Sequence, residues 1–400
     1  MSKNLVFDVV IIGAGPAGGQ AARELAAQNW KVLIVDRVTD FSKNNFSSGG
    51  TPMETLSIFR LPKEVVGSFW DTMSLQFDDK YVEWRETRDR GAVFNFKLLK
   101  KFLVDEATKK GAVVWMNNKF EKVAQRSDGL YEVTLVDGRK EKKKLVLCKV
   151  LLDASGSSRA VLSHLPEDEM PPFVLAPGME YIVKVNKKFT NKKLEKNLLF
   201  FMGAKYAPNG YSWIFPTGKD KFKVGIGVDT MKYQKYVGRP MVEYVELLLH
   251  DFIGDGNYQV LEKHGSTVKC SMGFTKVFVR EQILGLGDTV FSIYPFVGEG
   301  IRHALFSGRF AAETVDSYLR GKENSLQMYE QKMKRYFGWK WRLGSWLIQF
   351  FEKQGGGSDK SGLNKVFDKL GKLSFEDMYD LLFHYTFVKY AKILLMFYLN

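Results

Sequence analysis

"LVFDVVIIGAGPAGGQAARELAAQNWKVLIVDR", Leu5 to Arg37, sets the class of the fold. An apolar strand runs into a glycine turn, an Ala-rich helix follows, and a second buried strand ends at Asp36. Each glycine has its own task in such a unit. Gly13 makes the tight turn, Gly15 lets the backbone approach a pyrophosphate, and Gly18 lets helix and strand pack closely. The helix N-terminus offers unbonded N–H groups and the positive end of its dipole to phosphates. Asp36, with Arg37 beside it, is placed at the strand end for ribose hydroxyls. This is a Rossmann-type dinucleotide unit, and taken alone it serves NAD and FAD equally.

Two later stretches extend the reading. "LLDASGSSR" (Leu151–Arg159) puts Asp153 and Gly156 after another buried strand. "LGLGDTVFSIYPFVGEGI" (Leu284–Ile301) puts Gly287 and Asp288 at a third strand end, followed by Pro295, Gly298, Gly300 and Ile301. A second GxGxxG segment is missing, which argues against a separate NAD(P) domain. Between these stretches the texture changes. "MEYIVKVN", "LLFFM", "YSWIFP" and "FKVGIGV" alternate as sheet strands, with a helix near "PMVEYVELLLHDF". From about Ser325 the chain is helical and aromatic.

The expected fold is therefore α/β, with a Rossmann-type domain split in sequence, an antiparallel-sheet substrate domain and a C-terminal helical region. Residues 1–165 and 279–324 would form the nucleotide domain, 166–278 the sheet domain and 325–400 the helical region.

Composition narrows the chemistry. Cys148 and Cys270 are the only cysteines among 400 residues, and five scattered histidines lack ligand spacing, so neither a metal nor an iron–sulfur cluster is expected. Aromatic residues make up 14%, which suits a large apolar pocket, a membrane-facing surface or a Phe-rich core. The formal net charge of +14 lies largely in "GRKEKKK" and "NKKFTNKKLEK", which read as solvated hairpin ends. No basic and aromatic recognition module accompanies it, so nucleic acid is not expected. Anionic headgroups, a phosphorylated substrate or plain solubility account for the charge. No apolar run approaches the about 18 residues that span a bilayer, and no signal peptide is visible. A cytoplasmic protein, in one reading peripheral on a membrane, is expected. The last helix carries a stripe of Phe383, Phe387, Tyr390, Leu394 and Phe397, which would lie on lipid or roof a pocket.

The three nucleotide stretches, in this order, resemble the flavin-binding motifs of the p-hydroxybenzoate hydroxylase superfold. Within it, "GAGPAGG", "FSSGGTP" (Phe46–Pro52), "NGYSWIFP" (Asn209–Pro216) and "YPFVGEGI" (Tyr294–Ile301) resemble the geranylgeranyl reductase family. The resemblance implies FAD as cofactor, with Asp288 on the ribityl chain and the Pro295–Ile301 backbone along the isoalloxazine edge. It places Ser48 and Gly49 where the family often has Cys-Gly. It assigns Arg90, with Arg88 as rival, to an FAD phosphate. Tyr211, Trp213, Phe215 and Pro216 form the family's aromatic strand, three rings on one strand face, beside the substrate.

Family members saturate isolated prenyl double bonds with reduced FAD. A prenylated, lipid-like substrate and an external electron donor (NADPH, ferredoxin or another flavoprotein) are the implied partners. A flavin monooxygenase, a non-redox carotenoid cyclase and a non-catalytic flavin-binding lipid carrier are the alternatives. Phe291, standing where aromatic hydroxylases usually have His, weakens the first of them. His303, Tyr294 and Glu299 are the local candidates for a proton donor, with His303 expected on the helix surface.

Overall fold

The computed structural model describes residues 5–42, 46–165, 173–228, 239–271, 279–355 and 361–385. They divide into two compact units. One comprises Met1–Asn45, Phe96–Phe173 and Lys269–Arg342, and the other Phe46–Asn95, Val174–Val268 and Leu343–Asn400.

The first unit is built on an eight-stranded sheet with a parallel centre. Leu5–Ile12 lies between Lys143–Asp153 and Val32–Asp36, parallel to both. Val113–Met116 and Ile283–Gly285 continue the parallel set on either side. Central parallel strands are covered on both faces, which is why Val9 to Ile11 and Val32 to Ile34 are wholly apolar and fully buried. The register then gathers the motifs. Ile12 pairs with Asp153, Asp153 pairs with Gly285, and Val35 pairs with Ile12. Gly13, Asp36, Asp153 and Gly287 consequently emerge at one carboxyl edge of one sheet, where doubly wound sheets bind their ligands. Strands Asn118–Gln125 and Tyr131–Asp137 extend Lys143–Asp153 as the antiparallel meander read from the sequence.

The second unit holds a seven-stranded sheet in the order Tyr258–Ser271, Phe173–Val185, Lys221–Val228, Ala207–Gly218, Asn197–Gly203, Thr72–Phe77, Lys80–Arg85. From Phe173–Val185 to Lys80–Arg85 the neighbours pair antiparallel, apart from Asn197–Gly203 with Thr72–Phe77, which are parallel. One face carries Val183, Leu199, Ile214, Val224 and Ile226 against Tyr244, Val245, Leu248 and Leu249 of helix Met241–Phe252. Each such aliphatic side chain contributes about 1.5–3 kcal/mol by leaving water. Residues 46–95 group with this unit, although the sequence division assigned them to the nucleotide half. Their placement follows from a parallel pairing across more than a hundred residues, which has no local signature.

The described C-terminal segment is anchored in the same unit. Ser374 and Asp377 form a capping box, Trp84 donates to the Leu373 carbonyl, and Phe383 stacks on Trp70 at 5.6 Å. Phe383 is thus buried, while Phe387, Tyr390, Leu394 and Phe397 of the expected stripe lie outside the described residues. No helix among the described residues is long and apolar enough to cross a membrane.

Candidate flavin site and the aromatic sheet face

At the glycine turn, packing demands two of the three glycines and leaves the third free. Gly13 has φ +110°, and a Cβ there would sit 2.2 Å from the Ala154 carbonyl oxygen. A Cβ on Gly18 would sit 2.0 Å from the Gly13 carbonyl oxygen. A Cβ on Gly15 meets nothing within 4 Å, so open space lies above the N-terminus of helix Pro16–Ala27. That helix has Pro at its start and no acidic residue in its first turn, so nothing there competes with a bound anion. Asp36 accepts the Ala14 N–H at 2.8 Å and the Val38 N–H at 3.0 Å, which orients its carboxylate, while Arg37 is exposed.

Lys100 was not singled out from sequence. It is buried against Phe96 and Phe41, and burial pushes its ammonium down to about 8 against the pull of Asp36 and Asp40.

The second and third motifs are tied together. The Gly156 N–H donates to Thr289 Oγ1 at 3.1 Å, and the Gly287 N–H donates to Ser307 Oγ at 2.9 Å. Asp153 is buried and accepts from Ser155 N–H, Ser155 Oγ, Val161 N–H and Leu162 N–H. It shapes the 155–162 loop, and any bond from it to a cofactor would be added to those four.

Asp288 differs. Burial pushes its carboxyl up to about 6, with no donor among the described residues to offset the cost. A folded pKa above the unfolded 3.8 means that the proton binds more tightly in the folded chain. Stability is therefore full below the unfolded value and falls as pH rises from about 4 to about 6. In the FAD-free protein, Asp288→Asn should match wild type at about pH 4 and gain about 3 kcal/mol at about pH 8. Thermal melts at the two pH values check this, and an equal gain at both would show that the carboxyl is not the cause.

The segment from Tyr294 to Ile301 is a closed turn. Tyr294 N–H donates to the Glu299 carbonyl, and Gly298 N–H, at φ +67°, donates to the Tyr294 carbonyl, with Pro295 between them. Gly300 then caps helix Ile301–Leu319, whose first turn again has no acid. Glu299 points to Arg302, which donates Nε and Nη2 to it at 2.8 and 2.6 Å. Burial alone would raise Glu299, yet Arg302 and His303 hold it down to about 2. His303 is fully buried rather than on the helix surface as expected from sequence, packed edge-on to Trp341 at 4.8 Å. Burial pushes it down to about 4 despite Glu299. Its turn of the helix faces the aromatic wall of Tyr294, Phe337 and Trp341, which sequence periodicity alone did not orient. Phe291 is buried in the left-handed conformation, its ring 5.3 Å from that of Phe173.

In the second unit, Gly49 (φ +76°) bonds through its carbonyl to the Phe94 N–H, and Ser48 precedes it in the same loop. Arg90 is engaged elsewhere in that unit. It makes two bonds to Glu376, at 2.5 and 3.0 Å, and its guanidinium lies over the Phe375 and Tyr379 rings. Contact with an FAD phosphate would require it to leave that pair. Arg88, its rival, is exposed.

The aromatic strand is confirmed as a single face. Tyr211, Trp213 and Phe215 alternate with Ser212 and Ile214, and adjacent rings stand 5.7 and 6.5 Å apart. Trp213 and Phe215 are buried, Pro216 is buried beside them, and Tyr211 is partly exposed. On the same face lie two charged residues that sequence reading passed over, Glu180 and Lys223, both buried.

Two family models match parts of the chain. The model of FAD-dependent oxidoreductases matches residues 8–163, and that of the geranylgeranyl reductase catalytic domain matches residues 180–268, which include the aromatic strand. The chain thus resembles the geranylgeranyl reductases among FAD-dependent oxidoreductases. A digeranylgeranylglycerophospholipid reductase of Haloferax volcanii is 29% identical over 344 residues, covering 81% of this chain and 80% of that protein. A second, from Methanosphaera stadtmanae, is 26% identical over 369 residues, covering 84% of each. Among solved structures, a geranylgeranyl bacteriochlorophyll reductase-like protein of Thermoplasma acidophilum superposes with TM-score 0.83 at 19% identity, covering 99% of this chain and 97% of that one. A myxobacterial chondrochloren halogenase shares the fold at TM-score 0.68 and 15% identity, covering 98% and 97%.

The protein is an FAD-dependent oxidoreductase acting on C=C bonds. Its residues fit FAD. The space at Gly15, the acid-free helix starts and the under-bonded Asp288 carboxyl are what a pyrophosphate and a polyol chain would complete.

Proposed function

We propose that the enzyme saturates isolated double bonds in the prenyl chains of a lipid, and that the aromatic sheet face forms its substrate slot. The observation that carries this is the buried run of Trp213 and Phe215, with Tyr211 beside them, inside the stretch that matches the catalytic-domain model. Reduced FAD supplies the hydride. An isolated alkene has no carbonyl to polarise, so the protein's part is to hold the bond still and exclude water. Aromatic rings on a rigid strand do both.

Residues Gly13, Gly15, Gly18, Asp36 and Arg37 would hold the adenosine diphosphate portion. Asp153 and Gly156 would shape the adjoining loop, with Gly287 and Asp288 on the ribityl chain and Pro295, Gly298, Gly300 and Ile301 along the ring. Ser48 and Gly49 would also bind the flavin. The four-part division of the chain read from sequence belongs to this proposal too, with residues 46–95 serving the sheet unit. The relatives' names specify a digeranylgeranylglycerophospholipid. A substrate of that class suits a chain of net charge +14, which would draw it to an anionic membrane surface facing the cytoplasm. Electrons would come from NADPH, ferredoxin or another flavoprotein.

Anaerobic, dithionite-reduced enzyme mixed with a geranylgeranylated glycerophospholipid should yield product heavier by two hydrogens for each bond reduced. A strict need for O2 with a gain of oxygen would establish a monooxygenase instead. Rearrangement without electron consumption would establish a cyclase, and binding without turnover a carrier.

A further inference from the structure

Alkene saturation needs a proton as well as a hydride, and two of the three candidates near the flavin motifs, Glu299 and His303, are poor donors. Glu299 is ionised by Arg302, and His303 is neutral and deeply buried. The aromatic sheet face offers a better one. Strand register places Glu180, Gly225, Trp213 and Phe200 in one row across four strands. A Cβ on Gly225 would sit 2.4 Å from Trp213 Cζ2, so the indole lies across that glycine and reaches the next strand. There its Nε1–H donates to Glu180 Oε2 at 3.0 Å. Glu180 is 0% exposed, and its Oε1 has no hydrogen-bond partner among the described residues.

Lys223, opposite Ile182 and Phe215 on the same face, donates to the carbonyls of Ser47 and Phe94, not to Glu180. A buried carboxylate with an unfilled oxygen would be costly, so the neutral acid is favoured. Burial raises the Glu180 carboxyl accordingly, against the opposing influence of Lys223, Trp213, His264 and the Ser47 N–H. Burial likewise lowers Lys223. The charged groups acting on this site are Lys223 on its own face and the His264–Glu262 pair of the neighbouring strand, joined at 2.8 Å.

We propose that Glu180 supplies the proton of the reduction. The inference rests on the substrate slot proposed above. The Glu180 O–H bond breaks as a C–H bond forms at one alkene carbon, while the other carbon takes the hydride and its electron pair from reduced flavin. Oxidised flavin and a Glu180 carboxylate remain. The carboxylate is reprotonated from solvent. Trp213, bonded to the same carboxyl, keeps the acid against the aromatic face where the chain of the substrate would lie.

Glu180→Gln keeps the size and an acceptor for the Trp213 N–H but removes the acidic proton. Infrared difference spectra of the holoenzyme at neutral pH should show a buried carboxylic acid band that is missing in Glu180→Gln. Reduced wild type mixed with the geranylgeranylated glycerophospholipid should reoxidise more slowly in D2O than in H2O. Glu180→Gln should lose at least about 100-fold in that rate, as removal of a general acid does, with FAD content and melting temperature unchanged. An absent acid band would overturn the proposal without reference to any substrate. So would wild-type turnover accompanied by an undiminished rate in Glu180→Gln. Failure of wild type itself to reduce the lipid would overturn the substrate reading, and this step with it.

Discussion

Protein carrying Gly15→Val is expected to purify colourless. The reason lies in what the structure leaves empty. Gly15 has an ordinary φ of −72°, and a side chain there meets no protein atom within 4 Å, so the chain can fold around the substitution. Valine at a helix N-cap position costs only about 1 kcal/mol relative to a good cap. Yet the same side chain enters the space over the helix N-terminus that the pyrophosphate needs, and the phosphates lose their N–H contacts. The expected result is near-complete loss of bound FAD with a melting temperature close to that of wild-type protein stripped of its flavin.

Gly18→Ala provides the contrast. Its Cβ would stand 2.0 Å from the Gly13 carbonyl, so that variant should lose stability first and cofactor as a consequence. Stoichiometric FAD in Gly15→Val would mean that the pyrophosphate lies elsewhere.

The nucleotide unit was legible because its signals are local. Strand, glycine turn and helix follow one another within Leu5–Ala27, and the later motifs each begin at a strand end. Sheet register then did what such motifs imply, bringing three distant segments to one edge. The second unit was less legible. Its alternating strands were visible, but the membership of residues 46–95 depends on Thr72–Phe77 pairing with Asn197–Gly203, a contact that no periodicity records.

Glu180 and Lys223 had a signal that was not used. Each is a charge at an inward position of an alternating strand, in "MEYIVKVN" and "FKVGIGV", flanked by residues of the opposite, apolar face such as Tyr181 and Val224. A charge in such a place is either exposed at an open face or buried for a purpose, and only coordinates distinguish these. His303 shows the converse. Its helix is amphipathic, yet the wall of Phe337 and Trp341 that covers it comes from a helix whose docking no local pattern reveals.

Trp213→Ala should be the most damaging single substitution on the aromatic face. Trp213 is 4% exposed, its ring covers Gly225, and its N–H is the side-chain donor to a buried carboxyl. Truncation removes a large apolar group and leaves a cavity, a loss of about 3–5 kcal/mol. It also strips Glu180 of its side-chain donor, which adds the cost of a buried polar group left wanting. Against a typical total stability of about 5–15 kcal/mol, the melting temperature should fall by many degrees. So large a structural effect makes Trp213→Ala a poor probe of the slot, and Trp213→Phe the better one.

Phenylalanine keeps most of the ring over Gly225 and loses only the N–H, at a cost of about 1–3 kcal/mol for the acceptor left behind. If the ring lines the slot, Trp213→Phe should retain FAD and stay folded, while its product profile shifts toward different or fewer saturated bonds. Any pH-dependence that stems from Glu180 should move with it, because loss of the indole donor further disfavours the carboxylate. A melting temperature lowered by Trp213→Phe with an unchanged product profile and an unchanged pH profile would place Trp213 in the sheet core alone.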